Sequence, residues 1–180
     1  MTSSGLLQIV LYLTVLLALA KPLGWFMSRV YTEKPCGLDR VLGPIERLFY
    51  RLSGVDAKAE MDWKRYAAAV LIFSACGLLA VYGLQRAQSV LPLNPQGLGA
   101  VTADSSFNTS VSFVTNTNWQ GYGGEVTMSY LSQMLALGTQ NFVSAATGMA
   151  VLVALIRGLS RRSASTIGNF WVDVTRCTLY

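Results

Sequence analysis

Three long apolar stretches, separated by polar segments, dominate the pattern of the chain. They run from Leu6 to Ala20, from Tyr66 to Leu84 and from Val126 to Ile156. A helix of about 20 residues crosses the hydrocarbon core of a bilayer, so the second stretch fits a single span. The third is longer than one perpendicular span needs, and we expect either an interfacial entry segment before the helix or a tilted helix with its core at 131–156. The pattern therefore predicts an all-α membrane protein with helices within 1–25, at 66–84 and at 131–156.

The first apolar stretch is also about as long as the apolar region of a cleaved signal peptide. However, Met1 to Gly5 carries no basic side chain, and the stretch ends at Lys21-Pro22 instead of at small residues. Trp25 follows closely and suits the bilayer interface. These features favour an uncleaved transmembrane helix.

Composition supports a membrane location and argues against a metal or disulfide motif and against binding of nucleic acid. Of the 180 residues, 52% are hydrophobic and 13% are charged, against about 25% charged residues in soluble domains. The chain has no histidine, and Cys36, Cys76 and Cys177 are too widely spaced for a metal or disulfide motif. The net charge of +5 comes from basic residues beside the apolar stretches, so we expect a lipid bilayer as partner and no nucleic acid.

The distribution of basic residues predicts the orientation. Lys21 to Arg65 contains nine lysines and arginines and the chain after Ile156 contains four, whereas Gln85 to Glu125 contains only Arg86. Because basic loops stay in the cytoplasm, the connector 26–65 and the tail 157–180 are predicted to be cytoplasmic. The N-terminus and residues 85–125 then face outward.

The connector 26–65 leaves two interpretations open. Apolar residues recur at helical spacing between Pro44 and Leu52, which is typical of a short amphipathic helix at the membrane surface. A solvated connector is the alternative.

The outward segment contains a second, shorter helical pattern. Phe107, Val111 and Val114 are spaced for one helix face, and Asp104 or Ser105 is suited to cap the helix. A helix at 105–114 is about 15 Å long, half of the hydrocarbon core. A polar segment follows and leads to the third span. This order predicts a re-entrant pore loop like that of a potassium channel, while an outer loop with a surface helix remains the alternative.

A half helix that enters from outside directs the partial negative charge of its C-terminus towards the middle of the bilayer. Backbone carbonyls beyond it can replace the hydration shell of a monovalent cation. No carboxylate lies between Asp104 and Glu125, so backbone oxygen is the expected ligand. We predict a filter at 115–120, with carbonyls from Thr115, Asn116, Thr117 and Asn118 and with Gln120 at its outer mouth.

A Gly-Tyr-Gly segment follows the predicted filter. Gly121-Tyr122-Gly123 copies the end of the channel signature Thr-Val-Gly-Tyr-Gly, but Trp119 stands where that signature has threonine. We therefore expect this segment to form an exit turn that leads from the filter towards the third span.

In the third span, Gln133, Gln140 and Ser144 share one helix face. We expect helix–helix contact there, with close packing through Ser144 and Gly148, in preference to a vestibule lining.

Longer motifs carry a resemblance to a known family. They are Lys21-Pro-Leu-Gly, Leu91-Pro-Leu-Asn-Pro-Gln, Asn108-Thr-x-x-Ser-Phe-Val-Thr-Asn-Thr-Asn-Trp-Gln120, Gln140-Asn-Phe, Ala150-Val and Gly168-Asn-x-Trp-Val-Asp173. Together they resemble the potassium-binding subunits of bacterial Kdp potassium-transporting ATPases, and the Asn-Thr-Asn-Trp-Gln block is the most specific of them.

The resemblance implies one extra transmembrane helix followed by four helix–pore loop–helix repeats, of which this chain holds the first, at 66–156. The chain is then about a third of such a subunit and ends on the approach to the next span. Asn116 occupies the filter position where the family's other repeats usually have glycine, and asparagine suits that position because it tolerates a left-handed backbone better than most residues. The implied function is uptake of potassium from outside through the filter and its transfer to the ATP-hydrolysing subunit.

The implied partners are that subunit and the small accessory Kdp subunits, in the bacterial inner membrane. Potassium is the implied substrate, with no tightly bound cofactor. The chain itself is not expected to be an enzyme, since it lacks phosphate-loop and P-type phosphorylation motifs. The alternatives are a passive potassium channel or uptake protein with the same repeat, or an inert truncated membrane fragment.

Overall fold

A computed structural model describes residues 2–161 and 165–180, and within these ranges the chain is helical and contains no β-strand. Met1 and residues 162–164, which include one of the four basic residues of the predicted tail, lie outside the described residues. The helices are α1 (Ser3–Tyr31), α2 (Asp39–Ser53), α3 (Trp63–Ala87), α4 (Ala103–Val114), α5 (Gly124–Thr127), α6 (Thr139–Ser160) and α7 (Phe170–Leu179). A 3₁₀ turn at Gln88–Val90 extends α3, and a π-helical segment at Ser132–Gly138 leads into α6.

Three helical stretches have the length and apolar composition needed to cross a membrane, as predicted. They are Ser3–Tyr31, Trp63–Val90 and Ser132–Ser160, with 29, 28 and 29 residues. The first two are longer than their apolar stretches because helical hydrogen bonding continues into the flanking polar residues, whereas the third begins after Val126 and extends past Ile156. The Asp62 side chain, for example, caps α3 by accepting from the backbone N–H groups of Lys64 and Arg65, both at 2.9 Å.

The connector between the first two long helices contains a helix, as the first of the two interpretations expects, and its place at a membrane surface stays a prediction. α2 covers Asp39–Ser53 and is longer than the predicted 44–52. Asp39 accepts from the backbone N–H of Cys36 at 2.7 Å and thereby organises the turn before the helix. Gly54 ends it in a left-handed conformation (φ 65°), where glycine has no steric penalty.

α4 lies where the half helix was expected and ends at Val114, as predicted. Its start differs, because the N-cap residue is Thr102 and not Asp104 or Ser105. The Thr102 backbone is extended, and its carbonyl accepts from the N–H of Ser106 at 2.9 Å. Asp104 therefore lies in the first turn, where its charge favours the positive end of the helix dipole.

Two apolar clusters hold the elements together. One joins α3, α6 and α7 around Tyr66, Ala150 and the fully buried Phe170. The other joins α3, α4 and the segment before α6 around Val81 and Phe113, among others. α1 stands apart, since its side chains are exposed along almost its whole length and only its C-terminal end meets α7.

The predicted cytoplasmic tail contains a helix, α7, that packs against α3 and α6. The ring of Phe170 packs edge-on against Tyr66 and Phe73, with centroids 5.6 and 5.5 Å apart. Arg157 of α6 makes a bidentate ion pair with Asp173 of α7, at 2.6 and 2.9 Å. These contacts fix α7 against the N-terminal end of α3, at Tyr66, and the C-terminal end of α6, at Arg157.

The expected contact between long helices is present in part. The Gln140 side chain is buried against Gly77 of α3, where a Cβ atom would lie 2.9 Å from the Gln140 Oε1 atom. Ser144 is also buried. The prediction for Gly148 was wrong for this chain, because Gly148 is exposed and has open space around it.

Candidate ion-binding site

Small polar side chains let α4 approach α3 closely. Ser106, Ser110 and Ser112 are completely buried. The side-chain amide of Gln85, also completely buried, donates to the Ser106 carbonyl at 3.4 Å and to the Ser110 hydroxyl at 3.3 Å. Sequence analysis missed Gln85, although a glutamine at the end of an apolar span is a signal that a polar partner lies nearby.

A second glutamine connects the loops on both sides of α4. The buried Gln88 amide donates to the carbonyls of Gly99, at 2.6 Å, and Thr127, at 2.8 Å. Its carbonyl oxygen accepts from the Ser129 N–H and from the Ser132 hydroxyl, each at 3.0 Å. All the hydrogen-bonding groups of this side chain are used, which positions the entry to α4 relative to the start of the third long helix.

The backbone N–H groups of residues 115–118 all point back to the C-terminus of α4. Thr115 donates to the Val111 carbonyl at 3.0 Å, and Asn116 donates to the Phe113 carbonyl at 3.3 Å. The N–H groups of the next two residues, 117 and 118, share the Ser112 carbonyl, at 3.0 and 3.3 Å. The last carbonyls of a helix normally lack partners. Here the following segment satisfies those of Val111, Ser112 and Phe113.

The carbonyl oxygens of the same four residues accept no hydrogen bond from any residue that the structure describes. The next carbonyl, that of Trp119, does accept, from the Ser112 hydroxyl at 2.9 Å. The residues at 115–120 are exposed on the surface of this chain. Four consecutive backbone oxygens are therefore available to an external cation or to water, next to the negative end of α4.

The backbone of this segment alternates in handedness. Asn116 (φ 57°) and Asn118 (φ 55°) are left-handed, whereas Thr115 (φ −83°) and Thr117 keep negative φ. Asparagine adopts the left-handed conformation more readily than most residues. The prediction for Asn116 rested on this property, and the same conformation at Asn118 was not anticipated.

The side chains of the segment contact protein atoms. Thr115 Oγ1 donates to the Val111 carbonyl at 2.8 Å, and Thr117 Oγ1 donates to the Ser112 carbonyl at 3.1 Å. The Asn116 Oδ1 atom accepts from Ser144 of α6 and from Asn118, each at 3.4 Å. Gln120 is exposed directly after Trp119.

The Gly-Tyr-Gly segment differs from residues 115–118 in conformation. Neither Gly121 nor Gly123 has a positive φ, and the side chain of Tyr122 packs against the apolar cluster around Phe113. A four-residue helix, α5, follows at once. The prediction that this segment forms an exit turn stays a prediction, and its geometry agrees with that role.

Side-chain ligands for a metal ion are absent from the part of the chain that the structure describes, because no group of three His, Cys, Asp or Glu residues comes together there. The acidic residues nearest in sequence, Asp104 and Glu125, are exposed, one near the start of α4 and the other in α5. Any cation held at residues 115–118 would therefore be bound by neutral oxygen.

Comparison with known proteins gives consistent matches. Residues 10–180 match the family described as "Potassium-transporting ATPase A subunit". The chain is 67% identical over 175 residues to a protein of Ralstonia pickettii, an alignment that covers 97% of this chain and 30% of the relative. Proteins of Herpetosiphon aurantiacus and Methylococcus capsulatus are 65% and 64% identical over the whole chain, which covers 31% and 30% of them. Each relative is named "Potassium-transporting ATPase potassium-binding subunit". The chain thus spans about a third of the length of the curated relatives it matches.

Proposed function

This chain belongs to the family of potassium-transporting ATPase A subunits, and from that premise we propose that it forms one side of a potassium-selective filter in an ATP-driven uptake pump. In this proposal the extra helix lies within 1–25 and the first pore repeat at 66–156. α4 is the half helix, and residues 115–118 provide the filter carbonyls. Gln120 lies at the outer mouth.

One observation carries the proposal, namely the division of hydrogen bonds at residues 115–118. Their N–H groups are bound to α4, while their carbonyls accept nothing from the described residues. Potassium selectivity filters use backbone carbonyls in place of the ion's hydration shell. Non-helical backbone at membrane depth is tolerated where it lines an aqueous cavity, so exposed carbonyls fit this role better than a lipid-facing loop.

A single repeat provides one side of a filter, which agrees with the exposure of residues 115–120 in this chain. The remaining sides would come from three further repeats of the same protein, as in the family fold that the sequence motifs imply. The relatives are about three times as long as this chain, which leaves room for those repeats.

The subunit itself would hydrolyse no ATP. Potassium would enter from outside, pass the filter and reach the ATP-hydrolysing subunit, with the small accessory Kdp subunits completing the complex. The proposed location is the bacterial inner membrane, with the N-terminus outside and the connector 26–65 inside. The excess of basic residues in that connector supports this orientation.

The proposal is tested by placing a fixed charge at the filter of the assembled complex. Asn116→Asp would add a carboxylate beside the bound ion, so we expect a several-fold lower potassium concentration for half-maximal ATP hydrolysis together with slower turnover. Gln96→Asp adds the same charge to an exposed position of the outer loop and should change neither quantity.

Equal effects of the two variants would contradict a filter at residue 116. The same complex, reconstituted in vesicles, separates the pump from a passive channel. Potassium accumulation that requires ATP supports the pump, whereas uptake that is independent of ATP supports the channel.

A further inference from the structure

The helix α2 has its apolar side exposed and its polar side packed. Val41, Ile45, Leu48 and Leu52 follow the spacing i, i+4, i+7, i+11 and form one stripe. All four are exposed, to between 40% and 77%. Leu38 and Phe49 beside them are exposed too. A helix at the surface of a soluble protein shows the opposite arrangement, with its apolar stripe facing the core.

The opposite side of α2 is bound to α7 through Glu46, which is only 9% exposed. One carboxylate oxygen of Glu46 accepts from Arg176 at 2.8 Å and from Tyr50 at 2.7 Å, and the other accepts from Tyr180 at 3.0 Å. Burial raises the pKa of Glu46, but the hydrogen bonds from Tyr50 and Arg176 outweigh it, so this pKa lies below its ordinary value. Glu46 is therefore ionised at neutral pH, and α2 cannot turn its apolar stripe inward without breaking this contact.

Arg40, Arg47 and Arg51 form a third stripe along α2, at spacing i, i+7, i+11. At 100° per residue, this stripe lies on neither the apolar side nor the side bound to α7. All three are exposed, and none forms an ion pair with a carboxylate of the described residues. Guanidinium groups in this position complement phosphate oxygens, which they bind in bidentate fashion.

Short links hold α2 close to the ends of α1 and α3. Seven residues separate it from the end of α1 and nine from the start of α3, and both of those helices are long and apolar enough to span the membrane. A seven-residue link reaches about 25 Å at most. A helix held this close to lipid, with an exposed apolar stripe and an arginine stripe, has the features of an interfacial helix.

We propose that α2 is an interfacial anchor that recognises anionic phospholipid. Its apolar stripe inserts among the acyl chains of the leaflet that meets the ends of α1 and α3, and its arginine stripe binds lipid phosphates. The ion pair from Glu46 to Arg176 transmits the position of this anchor to α7. The proposal depends on α1 and α3 spanning the membrane and not on the transport function.

The full-length protein in lipid nanodiscs provides the test. A bimane fluorophore is attached at Leu48→Cys, with Lys58→Cys as control, after replacement of every native cysteine, including Cys36, Cys76 and Cys177. Quenching is measured with nitroxide on the acyl chains of phosphatidylcholine or of phosphatidylglycerol. We expect acyl-chain quenching at position 48 and none at 58, which is exposed in the connector. Phosphatidylglycerol should reach half-maximal quenching at a lower mole fraction than phosphatidylcholine.

Charge removal then tests the arginine stripe. Each basic residue near an anionic surface increases affinity about five-fold, so Arg47→Gln with Arg51→Gln should reduce the preference for phosphatidylglycerol by up to about 25-fold. The matched control, Lys34→Gln with Lys58→Gln, removes the same charge from exposed positions outside α2 and should leave the preference unchanged.

Three results would overturn the proposal. Quenching of position 48 by aqueous iodide instead of lipid would place the stripe in water. Protection from both quenchers would mean that protein covers this face. An equal loss of lipid preference in both double variants would show that total charge, and not the arginine stripe, attracts the lipid.

Discussion

Substitution of Asn116 separates a backbone role from a side-chain role at the proposed filter. Asn116 has φ 57°, a conformation that glycine reaches without steric penalty and that strains a β-branched residue. A strained backbone of this kind costs about 1–3 kcal/mol, which corresponds to a roughly 5- to 150-fold lower population of the native filter conformation. We therefore expect Asn116→Gly to stay near the parent activity and Asn116→Val to be nearly inactive.

The side-chain contacts of Asn116 are too weak to reverse this order. Its Oδ1 atom lies 3.4 Å from both donors, Ser144 and Asn118, beyond the 2.7–3.2 Å range of ordinary N–H···O bonds. Each contact should therefore contribute less than the roughly 1 kcal/mol of a typical hydrogen bond. Loss of both in the glycine variant is a smaller perturbation than the strain that valine introduces.

The assay is potassium-stimulated ATP hydrolysis by the assembled complex, combined with potassium uptake. Thr117→Val is the matched control, because it places the same side chain one residue later, where φ is negative. It removes the hydroxyl contacts to the Ser112 carbonyl, at 3.1 Å, and to the Thr115 hydroxyl, at 3.0 Å, and should retain far more activity than Asn116→Val. Equal loss in Asn116→Gly and Asn116→Val would refute the carbonyl role at this position and implicate the amide oxygen. Full activity in both would place the filter elsewhere.

Two further predictions concern topology and stability. In a cysteine-free background, Lys58→Cys should react with a membrane-impermeant maleimide only from the cytoplasmic side, and Gln96→Cys only from outside. The reverse labelling pattern would invert the proposed orientation. Asp173→Ala should destabilise the protein by about 3–5 kcal/mol, because it leaves Arg157 without its buried partner. In contrast, Glu60→Ala breaks a solvent-exposed pair and should cost less than about 1 kcal/mol in thermal or denaturant unfolding. Equal destabilisation by these two substitutions would show that burial of the first pair has no energetic consequence.

Several parts of this structure followed from the sequence because they depend on neighbouring residues. The lengths and apolar composition of the three stretches predicted the three long helices. The run of polar residues after Val114 marked the end of α4, and asparagine at position 116 indicated a left-handed backbone. The start of α4 did not follow in the same way, because several adjacent residues, including Thr102, Asp104 and Ser105, are able to cap a helix.

Other features depend on contacts between residues far apart in the chain, and only the tertiary structure decided them. Gln88 donates to the Gly99 carbonyl and accepts from the Ser132 hydroxyl, and Arg157 pairs with Asp173; no local sequence pattern indicates any of these contacts. Sequence periodicity indicates that a helix has a polar side and an apolar side. It does not say which side packs against protein, and in α2 the buried carboxylate of Glu46 leaves the apolar side exposed. The physical reason is that a buried charge requires a specific partner, and the fold alone brings that partner into position.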